Sequence, residues 1–261
     1  MNTVTSKDGT PIAYDKMGSG KPLILIDGAL CYRSFGPMPK LAPLLSKNFT
    51  VFMYDRRGRG DSGNVQPYSI QREIEDIDAL IKEASGSAYV FGISSGAALG
   101  LRAVESKLNI PRLALYEPPY VYAKKNGFVP PDHEGNLKSL IAENRRGDAV
   151  KYFMVDMVGA PAIFAFIMKL MPAWKKLKAV AHTLPYDAAV MEDWTVPADR
   201  ISRITTPTLI AGGSKSPSTL RNAVQSVSDA LPNKTYRVLE GQTHNVKAEV
   251  LAPVLTEFFA A

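Results

Sequence analysis

Short, uninterrupted apolar runs alternate with amphipathic helical patterns along most of this chain. Residues 22–26 and 49–54 are such runs, and each is typical of a strand that is covered on both faces of a parallel sheet. Between residues 69 and 84, isoleucine recurs at a spacing near 3.6 residues, which predicts an amphipathic helix. The alternation therefore predicts an α/β fold with a mostly parallel sheet of about eight strands and helices on both faces.

The same two patterns extend over both ends of the chain. Strands are predicted at residues 12–14, 22–26, 49–54, 87–92, 112–116, 207–211 and 235–239. Helices are predicted at residues 69–84, 95–105, 219–230 and 246–259. The first strand follows the turn signal Asp8-Gly9 and is predicted to be antiparallel.

The alternation stops between Pro118 and about Thr206, where no clear strand pattern occurs. Proline-punctuated helices are predicted there instead, at residues 136–145, 148–158, 161–170, 173–183 and 187–192. An insertion of this kind after the strand at residues 112–116, which is counted as the sixth of the eight expected, should lie over the edge of the sheet as a cap. We therefore divide the chain into a core domain of residues 1–117 and 207–261 and a helical cap of residues 118–206.

The composition limits the class and the compartment of the protein. Hydrophobic residues make up 46% and charged residues 21% of the chain, which excludes a disordered protein. The single cysteine, Cys31, cannot form an internal disulfide, and residues 1–7 lack the apolar region of a signal peptide. The longest apolar stretch, residues 161–171, is too short to cross a bilayer and contains Lys169. We therefore expect a cytoplasmic protein that is not stably inserted into a membrane.

The net charge of +6 does not by itself identify a partner, because most of the charges are dispersed. The densest cluster is Lys175, Lys176 and Lys178, which is interpreted as a solvated helix face. Attraction of anionic substrates or surfaces is the alternative. The chain has no metal-ligand cluster, phosphate-binding loop or dinucleotide motif in the required context, so no cofactor, metal or nucleic acid is predicted. The oligomeric state stays open.

A G-x-S-x-G sequence, residues 92–96, carries the strongest chemical signal in the chain. It follows a predicted strand and opens a predicted helix, which is the context of a nucleophile elbow. In such an elbow the central serine, Ser94, sits in a strained turn and projects its hydroxyl above the sheet. Gly92 and Gly96 are expected because side chains there would collide with neighbouring backbone. Ser95 is the rival nucleophile, but its spacing from the two glycines does not fit.

His244 is the predicted general base. It lies directly after the last predicted strand, where an imidazole can approach the elbow and accept the serine proton. The other two histidines, His133 and His182, fall in the predicted cap and are interpreted as surface or packing residues.

Taken together, these motifs resemble the α/β-hydrolase superfamily, in its serine-nucleophile, esterase-like branch. The resemblance covers essentially the whole chain and is carried by the strand ending in Asp27-Gly28, the loop at residues 55–62, the elbow at residues 92–96 and the late Gly241…His244 pair. It implies a hydrolase core under a helical cap, with catalytic residues in the order serine, acid, histidine. It also implies an oxyanion hole made by the backbone N–H groups of Ala29 and Ser95.

The chain departs from the family pattern at two positions. Many members have His-Gly where this chain has Asp27-Gly28, and Asp27 is interpreted as a buried anchor for its loop. The usual acid after the seventh strand is absent, because Ser216 stands at that position. Some members of the superfamily place the acid after the sixth strand, where this chain has Glu117. Glu117 is therefore the predicted triad acid, with an acid-free Ser–His dyad as the alternative.

The predicted cap is rich in methionine and aromatic residues, which is first a packing signal. Those that face the sheet would line an apolar pocket, so a small, largely apolar substrate is expected. The leading expectation is hydrolysis of a carboxylic ester or lactone through an acyl-enzyme. Hydrolysis of a C–C bond or a thioester by the same residues, and a weakly catalytic hydrolase-like protein that binds a small ligand, are the alternatives.

Overall fold

One eight-stranded sheet forms the centre of the computed structural model, which describes residues 1–122 and 129–261. The strands are β1 (Asn2–Thr5), β2 (Pro11–Met17), β3 (Lys21–Ile26), β4 (Phe49–Tyr54), β5 (Tyr89–Ile93), β6 (Leu113–Tyr116), β7 (Thr208–Gly213) and β8 (Lys234–Leu239). Their order across the sheet is β1-β2-β4-β3-β5-β6-β7-β8. Strand β2 is antiparallel to both of its neighbours, β1 and β4, and all other pairs of neighbouring strands are parallel. The predicted fold class is confirmed.

Helices cover both faces of the sheet because consecutive strand residues point to opposite sides. In β3, Ile24 and Ile26 belong to one apolar cluster, whereas Leu23 and Leu25 belong to a second one on the opposite face. The first cluster is closed by α2 (Ile70–Glu83), α3 (Ser95–Glu105) and α10 (Ser218–Ala230), and the second by α1 (Met38–Leu45) and α11 (Ala248–Ala260). Both faces of the sheet centre are buried, which explains why central strands such as β3 are almost continuously apolar.

A set of short helices lies between β6 and β7. They are α4 (His133–Ala142), α5 (Arg146–Tyr152), a π-helical turn (Phe153–Met157), α6 (Ala162–Met168), α7 (Ala173–Val180), a 3₁₀ turn (Ala181–Thr183), α8 (Leu184–Met191) and α9 (Ala198–Ile201). A third apolar cluster holds this region together around Leu137, Val150 and Leu184, and Leu30 from the core joins it. Residues 123–128 of the predicted cap lie outside the described residues, and the division into core and cap remains a proposal.

Some elements were not predicted, and others differ in extent. Helix α1 buries Met38, Leu41, Ala42 and Leu45 on one face, but prolines at its start and at Pro43 conceal the helical pattern. The predicted helix at residues 148–158 instead changes to π-helical hydrogen bonding after Tyr152. Strand β1 and helix α9, both only four residues long, are too short to give a periodic signal.

Candidate active site

The carboxyl ends of the parallel strands meet at one edge of the sheet, and the predicted site residues lie there. Ser94 follows β5, Glu117 follows β6, and His244 lies in the loop after β8. The loop that begins at Asp27 follows β3, which is the neighbour of β5. In open α/β sheets this edge is the general location of ligand sites.

Ser94 occupies a sharp turn between β5 and α3. Its backbone has φ 57° and ψ −130°, which lies in the region of positive φ that residues other than glycine rarely adopt. The Ser94 N–H donates to the carbonyl of Tyr116 at 2.9 Å, so the strained residue is held to the adjacent strand β6. The turn therefore fixes the serine at the strand end.

Three glycines allow backbone segments to meet around Ser94. A Cβ on Gly92 would collide with the carbonyl of Gly96, and a Cβ on Gly96 would collide with the carbonyl of Ile26. A Cβ on Gly28 would lie 3.0 Å from the Ser94 Cβ and 3.6 Å from its Oγ. The loop after β3 thus passes directly beside the serine side chain.

The two serines of the elbow differ in the environment of their hydroxyls. Ser95 is buried, and its Oγ donates to Asp187 Oδ1 at 2.7 Å and accepts from Arg56 Nη1 at 3.3 Å. Ser94 is half-buried, and within residues 1–122 and 129–261 its hydroxyl has no hydrogen-bond partner. The Ser95 hydroxyl is therefore committed to structure, whereas the Ser94 hydroxyl is available to a substrate.

Glu117 and His244 are in direct contact. His244 Nδ1 lies 2.8 Å from Glu117 Oε2, and the Tyr116 hydroxyl donates to the carbonyl of Thr243 at 2.7 Å, which ties down the histidine loop. A carboxylate accepts hydrogen bonds, so this contact assigns the ring proton to Nδ1 and leaves Nε2 as the acceptor. His244 remains partly exposed, with 36% of its side-chain surface accessible.

Glu117 is an anion although it is completely buried. Its Oε1 accepts from the Gly213 N–H at 2.7 Å and from the Ser216 hydroxyl at 2.6 Å. Burial acts to raise the pKa of Glu117, but the three hydrogen bonds it accepts outweigh that effect and hold the pKa below its ordinary value. The carboxylate is thus charged at neutral pH and faces the imidazole.

Ser216 has a contact that the sequence did not reveal. It stands where the family resemblance implies an acid, and its hydroxyl donates a hydrogen bond to Glu117, which follows the neighbouring strand β6. The only sequence signal was the missing carboxylate after β7. At position 216 this chain therefore has a hydroxyl that donates a hydrogen bond to a carboxylate, in place of a carboxylate of its own.

The backbone N–H groups of Ala29 and Ser95 are both without an acceptor among the described residues. Ser95 is the first residue of α3, and the first N–H groups of a helix have no partner within it. Ala29 directly follows Gly28, where an added Cβ would lie 3.0 Å from the Ser94 Cβ. One donor without an acceptor therefore directly follows Ser94 in the chain, and the second directly follows the glycine beside it.

The structure connects the three predicted triad residues unequally. Glu117 and His244 are hydrogen-bonded, and Ser94 is linked to the strand that carries Glu117. In the described part of the chain, no hydrogen bond joins the Ser94 hydroxyl to the His244 imidazole. Such bonds are commonly long in ligand-free enzymes and tighten when substrate binds.

Asp27 is buried and supports its own loop. Its Oδ1 accepts from the Gly28 N–H at 3.2 Å. Burial raises the pKa of Asp27 to about 7, although the nearby Arg59 and Arg56 cations act to lower it. This contact agrees with the interpretation of Asp27 as an anchor.

Three buried arginines follow β4, and two of them, Arg56 and Arg59, join the core to the inserted helices. Arg56 pairs with Glu73 and Asp187 at 2.7 Å each, and Arg59 pairs with Asp187 at 2.6 Å. Burial acts to raise the pKa of Asp187, but the two guanidinium groups hold it below its ordinary value. The third arginine, Arg57, forms separate ion pairs with Asp76 and Asp8. The sequence had indicated only a polar loop here.

Among the described residues, the remaining candidate residues form no hydrogen bond or ion pair with Ser94, Glu117 or His244. His133 is buried and its ring nitrogens contact the hydroxyls of Tyr122 and Tyr152, at 3.1 and 2.9 Å. Lys175, Lys176 and Lys178 are exposed on α7. In the described part of the chain, no cluster of three potential metal ligands occurs. No helix there combines the length and apolar character that crossing a membrane requires.

Comparison with known proteins agrees with this geometry. The family model described as "Alpha/beta hydrolase family" matches residues 19–253, which is most of the chain. The protein therefore belongs to the alpha/beta hydrolase family.

Individual relatives give further detail. The crystal structure of an alpha/beta hydrolase from Sphaerobacter thermophilus DSM 20745 is 51% identical, with a TM-score of 0.90 over 99% of this chain and 100% of that one. The "Uncharacterized hydrolase YraK" of Bacillus subtilis (strain 168) is 34% identical over 100 residues, which cover only 36% of this chain and 35% of that protein. An esterase from Exiguobacterium antarcticum has a TM-score of 0.75 over 100% of this chain and 99% of that one, at 18% identity, which shows likeness of fold alone.

Proposed function

We propose that this protein is a serine hydrolase that cleaves a carboxylic ester or lactone of a small, largely apolar substrate. The contact between His244 Nδ1 and Glu117 Oε2, 2.8 Å long, carries the proposal. A buried carboxylate that orients an imidazole, at the same sheet edge as a half-buried serine whose hydroxyl has no partner among the described residues, supports the activation of a hydroxyl nucleophile.

In the proposed reaction Ser94 Oγ attacks the substrate carbonyl carbon, and His244 Nε2 accepts the serine proton. The imidazolium that forms is stabilised by the Glu117 carboxylate, which stays ionised because its pKa is lowered. Collapse of the tetrahedral intermediate breaks the ester bond, and His244 returns its proton to the leaving alcohol. Water, deprotonated by His244, then releases the acid from Ser94.

The oxyanion of each tetrahedral intermediate would be held by the N–H groups of Ala29 and Ser95. Both groups lack a protein acceptor among the described residues, so a substrate oxygen would be their partner. The positive end of the α3 dipole lies at Ser95 and adds to this stabilisation.

The apolar character of the substrate is inferred from the inserted helices. The chain after Ala29 packs into their apolar cluster through Leu30, Tyr32 and Phe35. A substrate bound between this loop and the cap would therefore meet aliphatic and aromatic groups.

A fluorophosphonate probe tests the nucleophile. The probe should label the wild-type protein and Ser95→Ala, but not Ser94→Ala. Of the two elbow hydroxyls, that of Ser95 is hydrogen-bonded and that of Ser94 has no partner among the described residues. The Ser95 variant is the matched control, since it removes the adjacent hydroxyl of the same elbow. Absence of labelling in folded wild-type protein, established by circular dichroism, would refute a serine hydrolase and favour a ligand-binding role.

A substrate panel then separates the reactions that the same residues could perform. Aryl esters, alkyl esters, lactones, thioesters and vinylogous 1,5-diketones should be compared by kcat/KM. We expect esters or lactones to give the highest values. A higher value for the diketones would instead assign C–C bond hydrolysis, and a higher value for thioesters would assign thioester cleavage.

A further inference from the structure

Arg59 reaches from the loop after β4 to the loop that carries Ala29. Its guanidinium is buried, and Nη1 donates to the carbonyl of Gly28 at 2.6 Å and to the carbonyl of Cys31 at 3.3 Å. The same side chain is fixed at its other nitrogens, where Nε donates to the Thr183 hydroxyl at 3.0 Å and Nη2 to Asp187 Oδ2 at 2.6 Å. The cation is therefore held on all sides against the backbone of this loop.

The carbonyl of Gly28 and the N–H of Ala29 belong to one peptide group. In a planar trans peptide these two groups point in opposite directions. Fixing the carbonyl on a buried cation therefore fixes the direction of the N–H. A hydrogen bond from a charged donor also polarises the peptide, which makes its N–H a stronger donor.

Asp187 connects this arrangement to the second N–H donor. Its carboxylate pairs with Arg59 through Oδ2 and accepts from the Ser95 hydroxyl through Oδ1 at 2.7 Å. Arg56 Nη1 lies 2.7 Å from the same Oδ1 and 3.4 Å from the carbonyl of Asp27. The Asp187 carboxylate of α8 thus holds Arg59, which fixes the Gly28–Ala29 peptide, and the side chain of Ser95, whose backbone supplies the second N–H donor.

We propose that Arg59 and Asp187 are positioning residues that set the oxyanion hole from outside it. Arg59 orients and polarises the Gly28–Ala29 peptide, and Asp187 locks Arg59 against the Ser95 side chain. This inference rests on the proposed hydrolase function. Neither residue touches the substrate, so both act through the N–H groups of Ala29 and Ser95.

Arg57 provides a matched control within the same loop. It is as deeply buried as Arg59 and forms two ion pairs, with Asp76 and Asp8. Its contacts do not include the loop after β3 or Asp187. Loss of Arg57 should therefore disturb the fold about as much as loss of Arg59, without reaching the oxyanion donors.

The experiment compares Arg59→Met, Arg59→Lys and Arg57→Met with the wild type. The concentration of competent sites is first determined with the fluorophosphonate probe, so that a misfolded fraction is removed from every rate. We then measure kcat, KM and the inhibition constant of a trifluoromethyl ketone. Addition of Ser94 Oγ to its carbonyl carbon, with the serine proton passing to His244, gives a hemiketal whose oxyanion occupies the oxyanion position.

We expect Arg59→Met to lower kcat by about 10²-fold with KM within about threefold, because misdirected donors act mainly in the transition state. The ketone should bind more weakly by a similar factor. Arg59→Lys should lie between this variant and the wild type, because one ammonium cannot replace the guanidinium fork. Arg57→Met should keep kcat and the ketone affinity within about threefold.

Asp187→Asn tests the link to α8. If the two residues act as a unit, Asp187→Asn combined with Arg59→Lys should lose little more kcat than the larger single loss. Equal effects of the Arg59 and Arg57 variants on kcat, or an unchanged ketone affinity in Arg59→Lys, would overturn the inference while leaving the hydrolase proposal intact. Failure of the hydrolase proposal would appear earlier, as wild-type protein that does not react with the probe.

Discussion

Two buried carboxylates at the same edge of the sheet, Glu117 and Asp27, have opposite proton affinities. Both are at most 3% exposed. Glu117 accepts two side-chain bonds and one backbone bond, and its pKa is lowered. Asp27 accepts one backbone bond at 3.2 Å and one bond from the Cys31 thiol, and burial raises its pKa to about 7. Burial alone therefore does not decide the charge of a carboxyl group, because the number and strength of the hydrogen bonds it accepts can reverse the outcome.

The largest effect is expected when the charge of Glu117 is removed. Glu117→Gln should lower kcat by about 10³- to 10⁴-fold, because the imidazolium loses its counter-ion and its fixed tautomer. The comparison variant is Asp27→Asn, which should keep kcat within about tenfold, because we assign Asp27 no role in proton transfer. Steady-state kinetics at pH 7.5 measures both. Similar losses in the two variants would break the distinction between the carboxylates.

The raised pKa of Asp27 should also make the free energy of unfolding depend on pH. Its folded-state pKa lies above the unfolded value of about 3.9, so the folded protein binds more protons between about pH 4 and 7. The contribution of Asp27 to the free energy of unfolding is therefore largest at low pH and is lost as pH rises through about 7.

Asp27→Asn removes this pH dependence, so its stability relative to the wild type should increase from pH 4.5 to pH 8, by at most about 4 kcal/mol. Urea unfolding at the two pH values measures the change. Glu117 has the opposite sign, because its stabilising effect is lost only as pH falls below the unfolded value of about 4.3. A pH-independent difference between Asp27→Asn and the wild type would contradict a raised pKa.

A relocation experiment sharpens the assignment of the acid. Ser216 Oγ lies 2.6 Å from Glu117 Oε1, so an aspartate at position 216 would bring a carboxylate next to the histidine partner. The double variant Glu117→Gln/Ser216→Asp should recover about 10- to 100-fold of the kcat that Glu117→Gln loses. Ser216→Asn in the same background is the uncharged control. Equal recovery with asparagine would show that charge is not what the site requires.

The smallest effect is expected for Ser216→Ala. The variant removes one of three hydrogen bonds to Glu117, which should raise the pKa of the carboxyl but leave it ionised at pH 7.5. We expect kcat to fall less than tenfold at pH 7.5, with a larger loss toward pH 5. A pH–rate profile tests this, and a loss as large as that of Glu117→Gln would assign Ser216 a direct part in catalysis.

Residues that carry a local signal were predictable from the sequence. The apolar runs of β3 and β4 gave the parallel sheet, because a strand covered on both faces must be continuously apolar. The elbow was predictable because its glycines are spaced by the steric demands of one turn. Glu117 was predicted as the acid from the family resemblance, because no carboxylate stands at the position of Ser216, and this assignment remains a proposal.

Contacts between distant parts of the chain left no such signal. The pair of Arg59 and Asp187 joins residues 128 positions apart. A loop rich in charged residues is normally expected to be exposed to solvent. Arg56, Arg57 and Arg59 are nevertheless buried, because carboxylates from other parts of the chain pair with them, and the sequence does not show which residues these are. The same holds for two donors to Glu117, because Gly213 ends β7 and Ser216 lies in the loop after it, about 100 residues further along the chain.

The ion pairs of α8 also limit how far the inserted helices can move relative to the sheet. Raising this helix would leave two guanidinium groups and a carboxylate facing each other across a gap, and the stacked rings of Tyr68 and Tyr186, 3.8 Å apart, would separate as well. We therefore expect α8 to act as the fixed side of a hinge. Entry of a substrate and release of a product at the proposed site would then depend on movement of the helices that precede α8, from α4 to α7.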